Sequence, residues 1–168
     1  MFQFLVIQFL IYILIYQMHK VIISDTSTLI ILQKIEQLEL LNKLYGEVIT
    51  TPEVAKEFGE VLPNWIKIQN VSNINYKKLL ETMIDKGEAS AFALASDYND
   101  VLLLLDDLKA RKLAERLNFK FTGTLGIIHK AKQLNLIKEL KPLIEKLLIT
   151  NFRISDKIIK ELLALNNE

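Results

Sequence analysis

The stretch VIISDTSTLIIL (residues 21–32) decides the fold of this chain. It begins with the run VIIS, in which β-branched residues follow one another without polar alternation, as is typical of a strand buried on both faces of a sheet. Asp25 follows directly, and a helical pattern begins at Thr26. A buried strand that leads straight into a helix predicts a parallel sheet covered by helices.

The same order of strand and helix recurs along the rest of the chain. Further strands are predicted at EVIT (47–50), IKIQNV (66–71, an edge strand), VLLLL (101–105) and FKFTGT (119–124). Helices are predicted at 26–32, 38–44, 52–58, 76–84, 88–98, 109–117, 125–134, 140–148 and 155–165. The alternation predicts an α/β fold of three layers, α/β/α, around a central and mainly parallel sheet.

Composition narrows the class of protein and the kind of site. A chain of 168 residues is long enough to bury the core of one domain, and its formal net charge of +1 gives no global nucleic-acid signature. The chain has no Cys and only two His (His19 and His129), which argues against disulfides and against a zinc site made by protein alone. A metal would therefore be held by oxygen ligands, as Mg²⁺ or Mn²⁺ is. The absence of Cys suits a cytoplasmic protein.

The first seventeen residues, MFQFLVIQFLIYILIYQ (1–17), form an apolar extension without charge. A helix of this length spans about 26 Å, slightly less than the ~30 Å hydrocarbon core of a membrane, so a membrane anchor is one interpretation. The segment lacks the basic region and cleavage site of a secretory signal. We favour a second interpretation, in which Met18 is the natural start and residues 18–168 form the domain.

Four acidic residues fall where a carboxylate-lined metal site needs them. Asp25 and Asp106 follow predicted strands, and Glu57 and Glu88 lie on predicted helices. In a parallel α/β fold, strand ends and the helices that follow them gather at one edge of the sheet, where these side chains can meet. Because clustered carboxylates repel one another unless a cation neutralises them, the pattern predicts a metal-dependent enzyme.

Each acidic residue also has a structural interpretation. Asp25 and the Asp106-Asp107 pair can cap the helices that follow them. Glu88 can form a capping box with Asp85, and Glu57 can be a solvated helix residue. The basic residues of the helix at 109–116 either contact phosphate or form a solvated face.

Taken together, these residues make the chain resemble PIN-domain proteins, in the VapC-like branch of toxin ribonucleases. The resemblance extends from Met18 nearly to the C-terminus and omits residues 1–17. The matching stretches are VIISDTSTLIIL (21–32), TTPEVAKEF (50–58), KGEASAFALA (86–95), LLLLDDLKARKLAERL (102–117), TGTLGIIHKAKQLNLI (122–137) and FRISDKIIKELL (152–163).

The resemblance assigns roles to particular residues. It implies four catalytic acids and two auxiliary residues: Asp25, Glu57, Glu88 and Asp106, with Ser27 and Asp107 as auxiliaries. Asp25, Glu88 and Asp106 would ligate the metal. The third acid is often Asp in related proteins and is Glu88 here, which lengthens its reach. Asp106 is favoured as the fourth acid because Ala110 follows it by four residues, which fits the family spacing better, and Asp107 is the alternative.

The resemblance further implies a PIN-like fold and a function. The expected activity is hydrolysis of RNA phosphodiester bonds by an endoribonuclease that depends on Mg²⁺ or Mn²⁺, acting in the cytoplasm as the toxin of a toxin–antitoxin pair. Expected partners are the RNA substrate, a cognate antitoxin and a second copy of the chain. Membrane association is expected only if residues 1–17 are native. The alternative is a non-catalytic PIN-like module that binds nucleic acid or protein.

Two other families that use clustered acids do not fit the sequence. Phosphatases of the haloacid-dehalogenase type need Asp-x-Asp after the first strand, and this chain has Asp25 followed by Thr26 and Ser27. Receiver domains carry an acidic pair early in the chain, whereas the pair here (106–107) comes late.

Overall fold

The computed structural model describes residues 21–168, which contain a single five-stranded sheet. The strands are β1 (Val21–Ser24), β2 (Val48–Thr50), β3 (Ile66–Ile68), β4 (Val101–Leu104) and β5 (Lys120–Thr122). They lie in the order β3-β2-β1-β4-β5, and every neighbouring pair is parallel. The five predicted strands and the edge position of β3 are therefore confirmed.

The described part of the chain contains nine helices, each where the sequence predicts one. They are α1 (Thr26–Lys34), α2 (Glu39–Tyr45), α3 (Pro52–Phe58), α4 (Ile74–Leu80), α5 (Lys86–Ala95), α6 (Leu108–Arg116), α7 (Thr124–Gln133), α8 (Lys141–Ile149) and α9 (Asp156–Leu165). The helix boundaries shift by a few residues from the predicted ones, because fraying and capping decide where a helix ends.

Helices cover both faces of the sheet, which confirms the three-layer α/β/α architecture. Successive strand residues point to opposite faces, so Ile22 and Leu104 pack into a core with α1, α2, α3, α7, α8 and α9. Ile23 and Leu103 pack into a second core with α4, α5 and α6. Burial on both sides is the reason why β1 and β4 consist of nearly continuous apolar runs.

The connections of the sheet place a crevice at its centre. From β1 the chain builds outward through β2 to β3, and it then returns to add β4 and β5 on the other side of β1. Ser24 of β1 pairs with Leu104 of β4, so both strands end at the same level. Ligands of open α/β sheets bind outside the strand ends at such a reversal. Asp25 and the pair at 106–107 follow these two strand ends directly.

The predictions for the N-terminal extension concern residues that the structure does not describe. Residues 1–17 and the predicted domain start at Met18 lie outside the described range. None of the helices between residues 21 and 168 has the length and apolarity that a membrane crossing requires.

Candidate active site

A cavity of about 250 Å³ opens at the central crevice of the sheet. Its lining includes five carboxylates together with two hydroxyl side chains and one apolar side chain: Asp25, Glu57, Asp85, Glu88, Asp107, Thr26, Ser27 and Ile30. Three of the four predicted acids thus meet in one place, together with both residues that the sequence marked as auxiliary. We call this cavity the acidic pocket. Asp106, the fourth predicted acid, is not part of its lining.

Asp25 lies at the bottom of the acidic pocket and is fully buried. Its Oδ1 accepts a hydrogen bond from the Thr28 backbone N–H at 2.9 Å, which caps α1, and its Oδ2 accepts one from Ser27 Oγ at 2.6 Å. Burial raises the pKa of Asp25 from 3.8 to about 7, although these hydrogen bonds lower it, and the charge of Asp106 adds to the rise. Asp25 therefore caps a helix and is also a carboxyl poised to change protonation near neutral pH.

Glu88 is half-buried in the first turn of α5. Its Oε2 accepts a hydrogen bond from the Asp85 backbone N–H at 3.2 Å, one half of the capping box that the sequence predicts. Burial raises the pKa of Glu88 to about 7, and the charges of Asp107, Asp25 and Asp85 contribute to the rise. The repulsion among carboxylates that the sequence predicts is therefore present in the acidic pocket.

Glu57 reaches the acidic pocket from α3 because α5 leaves room for it. Thr26 Oγ1 donates a hydrogen bond to Glu57 Oε2 at 2.7 Å. A Cβ placed on Gly87 would lie 2.3 Å from that same Glu57 oxygen and 2.9 Å from the Thr26 hydroxyl. A side chain at position 87 would push Glu57 away, so this glycine serves close approach of backbone to side chain.

Asp106 is held in a structural network beside the acidic pocket. Its Oδ1 accepts hydrogen bonds from the Thr124 backbone N–H at 2.9 Å and from Arg111 Nη2 at 3.2 Å, and its Oδ2 accepts one from Thr124 Oγ1 at 2.6 Å. Only 6% of its side chain is exposed. Gly123 permits this packing, since a Cβ there would lie 2.6 Å from Asp106 Oδ1. Asp106 thus ties the end of β4 to the starts of α6 and α7.

Asp107 differs from Asp106, because only one of its two carboxylate oxygens accepts hydrogen bonds from the described residues. Its Oδ1 accepts hydrogen bonds from the backbone N–H groups of Lys109 at 2.7 Å and Ala110 at 3.0 Å, and so caps α6. Its Oδ2 accepts no hydrogen bond from any residue of the described range, and the side chain lines the acidic pocket. One anchored oxygen and one available oxygen suit a metal ligand. The contacts therefore favour Asp107 over Asp106 as the acid that β4 contributes to the pocket.

We expect Asp107→Asn and Asp106→Asn to have different consequences. Asn caps helices as well as Asp does, so Asp107→Asn should leave stability nearly unchanged and weaken Mg²⁺ binding by about tenfold or more, as loss of a ligand charge does. Asp106→Asn should break the ion pair with Arg111 and lower the free energy of unfolding by about 1–3 kcal/mol. Urea denaturation and Mg²⁺ titration calorimetry on both variants measure the two effects. Loss of Mg²⁺ binding in Asp106→Asn at unchanged stability would contradict this assignment.

Buried hydroxyl groups form hydrogen bonds between the elements that carry the acidic pocket. Thr51 Oγ1 and Ser90 Oγ lie 2.6 Å apart, and Ser90 Oγ donates to the carbonyl oxygen of Gly87 at 2.7 Å. Thr50 Oγ1 donates to the carbonyl oxygen of Ser24 at 3.1 Å, which links the ends of β2 and β1. The contact between Thr51 and Ser90 ties α5, which carries Glu88, to the residue that follows β2. These supporting residues are not identified by the sequence analysis. Thr51 also caps α3, because its Oγ1 accepts a hydrogen bond from the Val54 backbone N–H at 3.3 Å.

The side chains of the acidic pocket fit a divalent ion with oxygen ligands. All of its polar side chains are carboxylates or hydroxyls. Burial, and after it the neighbouring carboxylate charges, raises the pKa of Asp25 and of Glu88, and a bound cation would favour the charged form of both. Between residues 21 and 168, no three Asp, Glu or His side chains are arranged so that they could hold an ion directly. Mg²⁺ keeps several of its waters when it binds to proteins, so water-bridged contacts suffice for this fit.

Comparison with known families agrees with the geometry. A family model described as a PIN domain matches residues 21–168, a range that includes every strand and every residue of the acidic pocket. No curated protein and no solved structure matches the chain.

Proposed function

This chain belongs to the PIN-domain family, whose members are generally nucleases with divalent metal ions, and from that premise we propose that it is an endoribonuclease dependent on Mg²⁺ or Mn²⁺. One observation carries the proposal. Carboxylates from four separate segments converge on the acidic pocket, and two of them, Asp25 and Glu88, have pKa values raised to about 7. Perturbed acids in a cleft at the crevice of an α/β sheet are typical of a catalytic centre.

Each residue of the acidic pocket has a proposed role. Asp25, Glu88 and Asp107 would hold the ion, directly or through water, and Glu57 would complete the acidic cluster. Ser27 orients the Asp25 carboxylate by its hydrogen bond at 2.6 Å. When bound, the metal would lower the pKa of a water molecule and stabilise charge on the scissile phosphate and the leaving oxygen. Asp106 would act indirectly. Its charge raises the pKa of Asp25, and its hydrogen bonds with Arg111 and Thr124 position α6 and α7.

Metal removal tests the proposed activity. The full chain should cleave labelled single-stranded RNA in Mg²⁺ or Mn²⁺, should lose cleavage in EDTA, and should regain it when Mg²⁺ is added in excess, because the acidic pocket repels the phosphate backbone without a cation. Gel analysis of the products measures cleavage, and a preparation of Asp25→Asn controls for contaminating nucleases. Cleavage that persists in EDTA would exclude the metal mechanism, and failure to cleave RNA in either metal would exclude the activity.

A non-catalytic PIN-like module is the second candidate function. The observation that favours it is the lack, within the described range, of three acids arranged to hold an ion directly. Calorimetric titration with Mg²⁺ and Mn²⁺ distinguishes the candidates, since a nuclease needs a metal site and a binding module does not. RNA binding without metal binding or cleavage would support the module.

We propose a toxin role in the VapC-like branch, in the cytoplasm, with a small antitoxin as partner. An antitoxin would need to cover the acidic pocket. Leu108 follows Asp107 directly and is 65% exposed, which offers an apolar contact at the pocket rim. Co-expression with the product of the neighbouring gene tests this role: the partner should co-purify and block RNA cleavage, and a neighbour that does neither would contradict it.

We also propose that the protein forms a homodimer. Ile74 and Leu79 of α4 are 46% and 59% exposed, and Ile68 at the edge strand β3 is 55% exposed. Exposed apolar side chains at an edge of the sheet suit contact with a second copy. Sedimentation equilibrium of the full chain measures the mass; a monomer at micromolar concentration would contradict the proposal.

A further inference from the structure

Within residues 21–168, the hydroxyl of Thr28 is the one buried polar side-chain group that has no hydrogen-bond partner. Thr28 lies in the first turn of α1, and its side chain is fully buried. It does not belong to the lining of the acidic pocket. Buried polar groups are nearly always paired, because an unpaired one destabilises the fold. This exception, next to a proposed metal ligand, therefore needs an explanation.

The usual acceptors for a threonine hydroxyl in a helix are already engaged at this position. Such a hydroxyl generally donates to the carbonyl oxygen three or four residues earlier in the chain, which here belongs to Asp25 or Ser24. Ser24 Oγ donates to the carbonyl oxygen of Asp25 at 3.0 Å. Thr50 Oγ1 donates to the carbonyl oxygen of Ser24 at 3.1 Å. Other hydroxyls thus bind the two oxygens that Thr28 would normally use.

A third acceptor beside Thr28 is the carboxyl group of Asp25. Asp25 Oδ1 accepts a hydrogen bond from the Thr28 backbone N–H at 2.9 Å, so the side chain of the same residue begins next to that oxygen. The Thr28 side chain lowers the pKa of Asp25, which is the effect of a donor close to the charged carboxylate. The hydroxyl therefore lies near the carboxyl group, although the two do not have the geometry of a hydrogen bond.

We propose that Thr28 is a positioning residue, whose hydroxyl donates to the Asp25 carboxylate when a divalent ion is bound in the acidic pocket. A charged carboxylate accepts more hydrogen bonds, and stronger ones, than a neutral carboxyl group. Ser27 and the Thr28 N–H hold one oxygen each, and the Thr28 hydroxyl would add a third bond from the protein side. Groups behind a metal ligand orient it in this way. The inference rests on the proposed function and adds a supporting residue to it.

One substitution should have opposite effects on stability and on ion binding. Thr28→Val keeps the shape of the side chain and removes the hydroxyl. In EDTA we expect its melting temperature to exceed that of the wild type by about 2–6 °C, because no buried donor is left unpaired. We expect its dissociation constant for Mg²⁺ to rise by about tenfold, as when a group that supports a metal ligand is lost. Thr28→Ser keeps the donor and should bind Mg²⁺ nearly as tightly as the wild type.

Thr150→Val is the matched control, because the hydroxyl of Thr150 is paired. It donates to the carbonyl oxygen of Leu147 at 2.7 Å and accepts from the Phe152 backbone N–H at 3.1 Å. Thr150 follows the C-terminal end of α8 and does not line the acidic pocket. Its replacement leaves two partners unsatisfied, so the melting temperature should fall while the affinity for Mg²⁺ stays unchanged.

Scanning calorimetry in EDTA and titration calorimetry with Mg²⁺ and Mn²⁺, both on the full chain, measure these effects without RNA cleavage. A higher melting temperature and weaker Mg²⁺ binding in Thr28→Val, with binding restored in Thr28→Ser, would support the role even if the chain cuts no RNA.

Three results would overturn the positioning role and leave the ribonuclease proposal standing. They are equal Mg²⁺ affinity in Thr28→Val and the wild type, weak binding that Thr28→Ser does not restore, and a lower melting temperature of Thr28→Val in EDTA. The last result would mean that the hydroxyl already has a partner in the metal-free protein. A wild-type chain that binds neither Mg²⁺ nor Mn²⁺ would instead contradict the proposed function, and this inference with it.

Discussion

Replacing Asp25 by Asn should lower RNA cleavage by at least about 10³-fold while the protein stays folded. Asp25 is the fully buried member of the acidic cluster, and its two oxygens are held at 2.9 Å and 2.6 Å by Thr28 and Ser27. An Asn side chain can keep both contacts, because its carbonyl oxygen accepts from the Thr28 N–H and its amide can donate to Ser27 Oγ. The substitution therefore removes a charge from the metal site and leaves the cap of α1 intact.

Single-turnover cleavage of single-stranded RNA in saturating Mg²⁺ measures the loss. Asp97→Asn provides a matched control, since Asp97 lies just past the C-terminal end of α5, while Glu88 lies in the first turn of that helix. Ten helical residues span about 15 Å, so Asp97 is well away from the acidic pocket. Asp97→Asn should retain full activity. Full activity in the Asp25 variant would remove Asp25 from the catalytic site and would undermine the metal mechanism.

The sequence predicts the fold well because each strand carries its own signature. Burial on both faces makes β1 and β4 into apolar runs, and capping residues such as Asp25 and Thr51 mark where helices begin. These signals are local, so they can be read without knowing what each element packs against. The position of the site follows from the same signals, because an acid directly after a parallel strand must lie at the carboxyl edge of the sheet.

The details of the site are harder to predict from the sequence because they depend on contacts between residues that are far apart in the chain. Asp106 and Asp107 follow the same strand, and the choice of which one faces the pocket depends on Thr124, 18 residues further on, and on Arg111. The bond from Thr26 to Glu57 spans 31 residues. The spacing of residues in a single sequence does not reveal which distant residues form hydrogen bonds with one another. Structural and functional interpretations also prove compatible: Asp25 caps a helix and lines the acidic pocket at once.

The free energy of unfolding of the metal-free protein should fall as pH rises from about 4 to about 7. Burial raises the pKa of Asp25 from 3.8 in its ordinary state to about 7 in the fold, so between these values the folded protein holds a proton that the unfolded chain has released. Deprotonation therefore destabilises the folded state, and the loss is complete above pH 7. The raised pKa of Glu88 acts in the same direction. For the fully buried Asp25 the effect is roughly 2–4 kcal/mol.

Thermal denaturation in EDTA, measured between pH 4 and pH 8, tests this expectation. At pH 8 the melting temperature of Asp25→Asn should exceed that of the wild type by roughly 10 °C, because the variant never buries the charge. Mg²⁺ at 100 times its dissociation constant should stabilise the wild type by about 2.7 kcal/mol and the variant much less. Glu161→Gln is the control, because Glu161 is exposed on α9 and its one ion pair within residues 21–168 is a 3.9 Å contact with Lys157. If the variant were no more stable than the wild type at pH 8, burying the charged Asp25 carboxylate would cost the fold no free energy. The main physical reason to expect a cation in the acidic pocket would then be gone.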